Sequence, residues 1–396
     1  MKRLAVGGLV ALGLWSVNVT EARAESDCVF TTLGKTMVLR TNCSTDATLN
    51  VPNGMTLEGA GKTITARDPA GGHFLGAVVK NSGAVAHVRN LVIDTQSLAN
   101  ACDAATPVDL RLRGIYLESA SGSLVGNTVR NIRQVNSGCQ EGSGIEVRSP
   151  PFDGTHPGTR QVHITGNRVI TYQKTGILVV GDVDAEIYLN RVTGMGPVTI
   201  IAQNGIQVSG GAHASIKLNH VEGNEYLGEG TESTGILLFG SAPHTEVALN
   251  HIDHCEIGVA LLATSEAVVE ANKIEGASAS GISVIGSAGP TENNELTANL
   301  LRHGSIGIRV SGEGARYTLV ERNRLSDFST AALLVDGDSS YSQLENNAAF
   351  DNGDFGFLID SDDNIVVGNR ITDTAGVGLA VYGENNHLES NQVTPR

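Results

Sequence analysis

A two-part signature recurs along this chain at a nearly constant step, and a fold that cannot repeat cannot accommodate it. The first part is a glycine followed by an apolar residue, any residue, and a second apolar residue. It starts at Gly114, Gly144, Gly176, Gly205, Gly235, Gly258, Gly281, Gly307, Gly356 and Gly378, with Ala332 filling the slot once. The second part is an asparagine, any residue, then Val, Ile or Leu. Its asparagines are Asn127, Asn167, Asn190, Asn219, Asn250, Asn272, Asn299, Asn323, Asn347, Asn369 and Asn391, and Ala349 replaces the aliphatic residue once. From Asn323 onward the steps are 24, 22 and 22 residues. Apolar residues that alternate within so short a step mean short strands stacked coil on coil, not helices.

The residue types suit such a stack. Alternate side chains of each strand point inward, so Ile, Val and Leu form rows along the axis. The signature glycine is expected to allow the bend into the first strand. The asparagine is expected at an inner corner, where its amide bonds the backbone and the asparagine of the next coil. Glycine is abundant at 48 residues and aromatics are only 4%. That profile suits a solenoid better than collagen or disorder. About twelve coils of 22–24 residues, ~4.8 Å apart, predict a rod of roughly 55–60 Å.

These repeats resemble those of the pectate-lyase-like β-helix superfamily, especially the short repeats of carbohydrate-binding and sugar-hydrolysis domains. The resemblance covers residues 45–396, and the stretch ATLNVPNGMTLEGAGKTITA at 47–66 is similar to the opening coil of such proteins. It implies an all-β chain folded as a single-stranded right-handed parallel β-helix. It implies little about chemistry, because that fold carries lyases, epimerases, hydrolases, adhesins and non-catalytic accessory proteins. The expected organisation is a signal peptide at 1–24, an N-terminal cap and first coil at 25–66, and β-helix repeats at 67–396. A cap is needed because a solenoid end exposes unpaired backbone and apolar core. Only five residues follow Asn391, so the last coil is expected either to be covered by a partner or a second copy of the chain, or to leave its edge open.

Lys2 and Arg3, an apolar run over 4–19 and the Ala22-Arg23-Ala24 pattern read as an export signal cleaved near Ala24. The run is too short and interrupted for a membrane span. A secreted or periplasmic location follows. Removing residues 1–24 takes away Lys2, Arg3, Arg23 and Glu21, which moves the formal charge from −15 to −17. Such acidity argues against nucleic acid as a partner. Export makes disulfides the first expectation for the cysteines, and the near neighbours Cys28–Cys43 and Cys102–Cys139 are the expected pairs. Cys255 is left as a buried, inert thiol within an apolar stretch.

Insertions locate the candidate site. Between repeat asparagine and next signature glycine the plain coils have a step of eight or nine residues, whereas three coils have 17, 15 and 16. The inserted segments lie after Asn127, Asn190 and Asn219, at one point of the coil, so their loops are expected on one side of the rod. A fourth insertion, SPPFDGTHPGTRQ at 149–161, falls on another edge.

Beside the three loops, the residue after each asparagine should point outward. Arg168, Arg191, His220, His251 and Lys273 then form a basic row, and Glu222, Asp253 and Glu275 an acidic row next to it, with His254 one step beyond. This reads either as a groove for an acidic polysaccharide or as charges that pair across strands on a solvated face. Arg191, His220 and His251 are the candidate catalytic residues of a polysaccharide lyase or C5-epimerase, which must neutralise a carboxylate and remove the adjacent proton. Arg168, Lys273, Glu222, Asp253, His254 and Tyr226 are the candidate substrate contacts. No cofactor is required by this reading, although His220, His251, Glu222 and Asp253 could ligate a divalent cation such as calcium. The only tryptophan, Trp15, lies in the signal segment, which argues against a glycoside hydrolase that stacks neutral sugars. The rival reading is a non-catalytic surface or periplasmic protein, either an adhesin or an accessory carbohydrate-binding module.

Overall fold

The computed structural model describes residues 26–102, 110–155 and 158–395, so the export signal expected at 1–24 lies outside the described residues. Successive short strands pair in parallel with their counterparts one coil away, and about 13 coils build a right-handed β-solenoid. Each regular coil contributes three strands. One begins at the signature glycine, as in Thr175–Gly181; the next precedes the repeat asparagine, as in Val183–Tyr188; the third follows it, as in Arg191–Thr193. The rod therefore has a glycine-led face, a middle face and a post-asparagine face. The middle face is a 15-stranded sheet. The other two form one 24-stranded sheet, because Lys273–Ile285, Leu300–Ser311 and Arg324–Asp336 run round the corner between them without a break.

Rows of one residue type fill the interior. Ile115, Ile145, Ile177, Ile206 and Ile236 stack in register on the glycine-led side and have no exposed surface. The asparagine corner forms as expected. Each Nδ2 from Asn127 to Asn347 donates to the Oδ1 of the next repeat asparagine at 3.0 Å, and Asn369 donates to Asn391 at 2.9 Å. The same Oδ1 accepts the backbone N–H of the asparagine one coil before it, and Nδ2 also reaches a carbonyl, as Asn272 does to Val247 O. The buried amides of the repeat asparagines, and the backbone N–H groups beside them, are thus paired inside the stack.

The signature glycines have a different cause from the one expected. A Cβ at Gly144 would lie 2.4 Å from Val169 Cγ1 and 2.8 Å from the carbonyl oxygen of Gly176. Glycine is there because the next coil and the post-asparagine valine leave no room, not because the backbone needs a special bend. The left-handed bend falls on the residue before each asparagine instead, such as Leu189, Leu218 and Leu249 at φ 55–58°.

The ends are unlike each other. At the N-terminus Phe30–Leu33 and Thr36–Leu39 pair antiparallel, and the second of them leads into the middle face by pairing with Met55–Glu58. Cys28 and Cys43 are joined beside this hairpin, with Cα atoms 5.0 Å apart. Cys102 and Cys139 form the second disulfide. Cys255 is free and buried, and burial pushes its thiol up to about 12, so it is inert as a nucleophile. At the other end, Leu388 and Val393 are 44% and 45% exposed on the last coil. Among the described residues no helix is long and apolar enough to cross a membrane.

Candidate functional site

The three inserted loops stack on one another, as their common position in the coil requires. Val198 pairs with Tyr226, Leu227 N–H donates to Val198 O at 2.8 Å, and Val198 N–H donates to Glu225 O at 3.0 Å. Arg133 of the first loop reaches Met195 of the second. This wall stands where the post-asparagine face turns into the glycine-led face. The fourth insertion stands at the opposite edge of the glycine-led face, where its Phe152 ring packs over Gly181. One face of the rod is therefore walled along both edges.

Between those walls lies a linear cleft. It consists of three depressions of about 630, 460 and 270 Å³ along the axis. The first two share Gln207 and Phe239, and the last two share Glu232 and Ile285, so they are continuous. They run from the strand Ser143–Ser149 to Leu300–Ser311, a length of roughly 30 Å at ~4.8 Å per coil. The floor is made of outward residues of successive coils: Leu178, Gln207, Leu237, Ala260 and Ser283 in one register row, then Val180, Ser209, Phe239, Leu262 and Ile285 in the next. Phe152 and Phe239, each 46% exposed, both line the first depression.

At the N-terminal end of this face two charged residues, Arg113 and Glu146, are buried. Arg113 forks onto Glu146, with Nε at 2.7 Å, and Arg148 reaches the same carboxylate at 2.9 Å. Burial alone would push the Glu146 carboxyl up. The two guanidiniums outweigh it and hold the group below the usual carboxylate range. The Arg113 guanidinium also lies 4.4 Å from the Tyr116 ring centroid. Arg148 turns its other side to Phe152, 5.3 Å from the ring centroid, and so closes the cleft.

The residues read from the sequence as the site lie on the adjoining face. Arg168, Arg191, His220, His251 and Lys273 stack in one register row, and Glu222, Asp253 and Glu275 in the next. The His220 and His251 rings stack with centroids 4.8 Å apart. Most of the cations meet a carboxylate of the neighbouring row. Arg191 reaches Glu222 at 2.7 Å, Lys273 reaches Glu275 at 2.6 Å, and His254 reaches Asp253 at 2.6 Å. His220 and His251 lie 3.3 and 3.5 Å from Glu222 and Glu275. Burial, helped by Arg191 and His251, pushes the His220 imidazole below its ordinary value against the pull of Glu222 and Asp253. Tyr226 is apart from the row, in the third loop, with its ring against Gly228. Among the described residues, no three of His220, His251, Glu222 and Asp253 bring ligand atoms within reach of one ion.

Residues 156–320 and 250–394 match the family described as the right-handed β-helix region, which is more than half of the chain. The chain belongs to the right-handed β-helix family. No curated protein matches this β-helix protein in sequence. Among solved structures, the periplasmic alginate epimerase AlgG is similar at 12% identity and a TM-score of 0.53, over 89% of this chain and 78% of the epimerase. The A-module of the Azotobacter vinelandii mannuronan C-5 epimerase AlgE6 is similar at 12% identity and a TM-score of 0.44, over 88% of each chain. The Dettilon tailspike protein is similar at 13% identity and a TM-score of 0.46, over 89% of this chain and 61% of the tailspike. At these identities the likeness is one of fold.

Sequence reasoning missed the cleft of this β-helix for an identifiable reason. It located insertions on two edges but did not place both edges on one face. The order of the coil held that signal: loops before the glycine-led strand and a loop after it must flank that strand. Lys174, Gln207, Phe152 and Phe239 could have been found that way.

Proposed function

We propose that this protein binds an extended polysaccharide, preferentially an acidic one, along the glycine-led cleft in an extracytoplasmic compartment. The observation that carries the reading is that, among the described residues, this face alone has inserted loops on both edges, with the half-exposed rings of Phe152 and Phe239 in the same depression. A linear cleft that runs along several coils suits a polymer better than a small molecule. Aromatic faces stack on the apolar faces of sugar rings, and Arg148 beside Phe152 supplies positive charge. Two disulfides suit an oxidising compartment. Alginate, named for the epimerase that shares the fold, and polygalacturonate are the first polymers to try.

Affinity electrophoresis in gels holding each polymer tests the reading. The parent should be retarded, and Phe239→Ala should lose most of the retardation while its melting temperature stays within about 1 °C, since half-exposed surface residues contribute little to stability. Equal retardation of the two proteins removes the cleft as the binding site. Absorbance of unsaturated uronates, read on the same mixtures, distinguishes a lyase from a binder.

A further inference from the structure

The cleft distributes its charges unevenly. Arg148 is held by Glu146, and Arg309 at the far end is held by Asp336 at 2.8 Å. The cation of the middle depression is Lys174, and among the described residues it has no carboxylate partner. Its ammonium donates one hydrogen bond, 2.7 Å long, to the carbonyl of Ala202 in the second inserted loop. An ammonium carries three donors, so two remain for another acceptor. Burial lowers its pKa, and no neighbouring charge offsets that. A half-buried cation without a counter-charge is costly, and its persistence in a cavity marks a place for an anion.

The surroundings specify more than charge. Thr175, Asn204 and Thr234 follow one another in register beside Lys174. Thr234 Oγ1 donates to Asn204 Oδ1, and Asn204 Nδ2 donates to Gln207 Oε1, both at 2.9 Å. Asn204, Gln207 and Thr234 line the same depression as the apolar side chains of Leu237 and Phe239. Glu232, exposed on the third loop, is the one carboxylate there, and solvent screens it.

Building on the cleft reading, we propose that the middle depression is a subsite for one acidic sugar residue of the polymer. Lys174 holds its carboxylate or sulfate, the Asn204–Gln207 row meets its hydroxyls, and Leu237 and Phe239 take its apolar face. Lys174 is thus the residue that makes the cleft choose acidic over neutral chains.

Titration calorimetry with oligogalacturonate, oligomannuronate, dextran sulfate and dextran tests this on the parent, Lys174→Met and Lys174→Arg. The parent should prefer an acidic probe over dextran by at least tenfold. Lys174→Met should lower affinity for that probe to the level of dextran, with dextran binding unchanged, and Lys174→Arg should restore much of the preference. Preference for the uronates assigns a carboxylate, and preference for dextran sulfate assigns a sulfate. Should Lys174→Met melt early, Lys174→Gln, which keeps a donor for the Ala202 carbonyl, reads the same difference. Equal preference in parent and Lys174→Met overturns the subsite while leaving the cleft standing. A parent that binds none of the four probes overturns the cleft reading and the subsite together.

Discussion

On the post-asparagine face Arg191 meets Glu222 at 2.7 Å with half of its side chain in water; on the glycine-led face Arg113 meets Glu146 at 2.7 Å with 1% exposed. The two contacts are alike in chemistry and length. They differ in everything that sets their energy. The exposed pair belongs to a flat ladder whose cations and carboxylates neutralise one another in high dielectric. The buried pair has no water to replace a lost partner, so each member depends on the other. A walled face can hold charge against solvent, and an unwalled one can only arrange it.

Removing a carboxylate from each face gives the sharpest test. Glu146→Gln leaves the buried Arg113 without its counter-charge and should cost about 3–5 kcal/mol in urea unfolding. Glu222→Gln should cost under about 1 kcal/mol. Similar losses for both would erase the distinction between the faces. The sign of the pH dependence follows from the depressed Glu146 pKa. Its stabilisation is complete above the unfolded value of about 4.3 and is lost as pH falls through the folded pKa. The gap between parent and Glu146→Gln should therefore stay constant above that value and narrow below it.

The asparagine corner adjoins the ladder and is buried, so it offers a control within one coil. Asn272→Ala removes a bond to Asn299 and one to Val247 O, and orphans the N–H of Asn250. The expected loss is roughly 1–3 kcal/mol. Thermal melts that match the parent would mean the corner contributes nothing beyond packing.

The smallest effect is expected from Arg191→Ala combined with Lys273→Ala. Both side chains are about half exposed and paired to carboxylates. The double variant should keep its melting temperature and its retention on acidic polymer. Loss of retention, with a strong salt dependence, would move the ligand surface to the post-asparagine face.

Much of the fold was legible in the residues themselves. The asparagine register follows from the need to pair polar groups at an inner bend, and all eleven asparagines stack where the repeat puts them. The disulfides followed from proximity along a chain expected to be exported. The rows from Arg168 to Lys273 and from Glu222 to Glu275 were also legible, because strand alternation sets which residues point outward. Pairing between the rows was one of the open readings, but which cation meets which carboxylate was not legible, since Arg191 and Glu222 are 31 residues apart and meet only across coils. The glycine spacing was visible, but its steric cause was not, because Val169 and Gly176 crowd Gly144 only in the folded coil.

What the sequence by itself determined is the periodic part: coil, corner, row and the edges that carry insertions. Each of these depends on side chains a constant step apart, and hydrogen bonding between coils repeats that step faithfully. Only the tertiary structure decided which face the loops enclose, and that in the cleft Arg148 and Arg309 already hold a carboxylate while Lys174 does not. Those outcomes depend on burial and on contacts between loops of unequal length, and a repeat has no term for either.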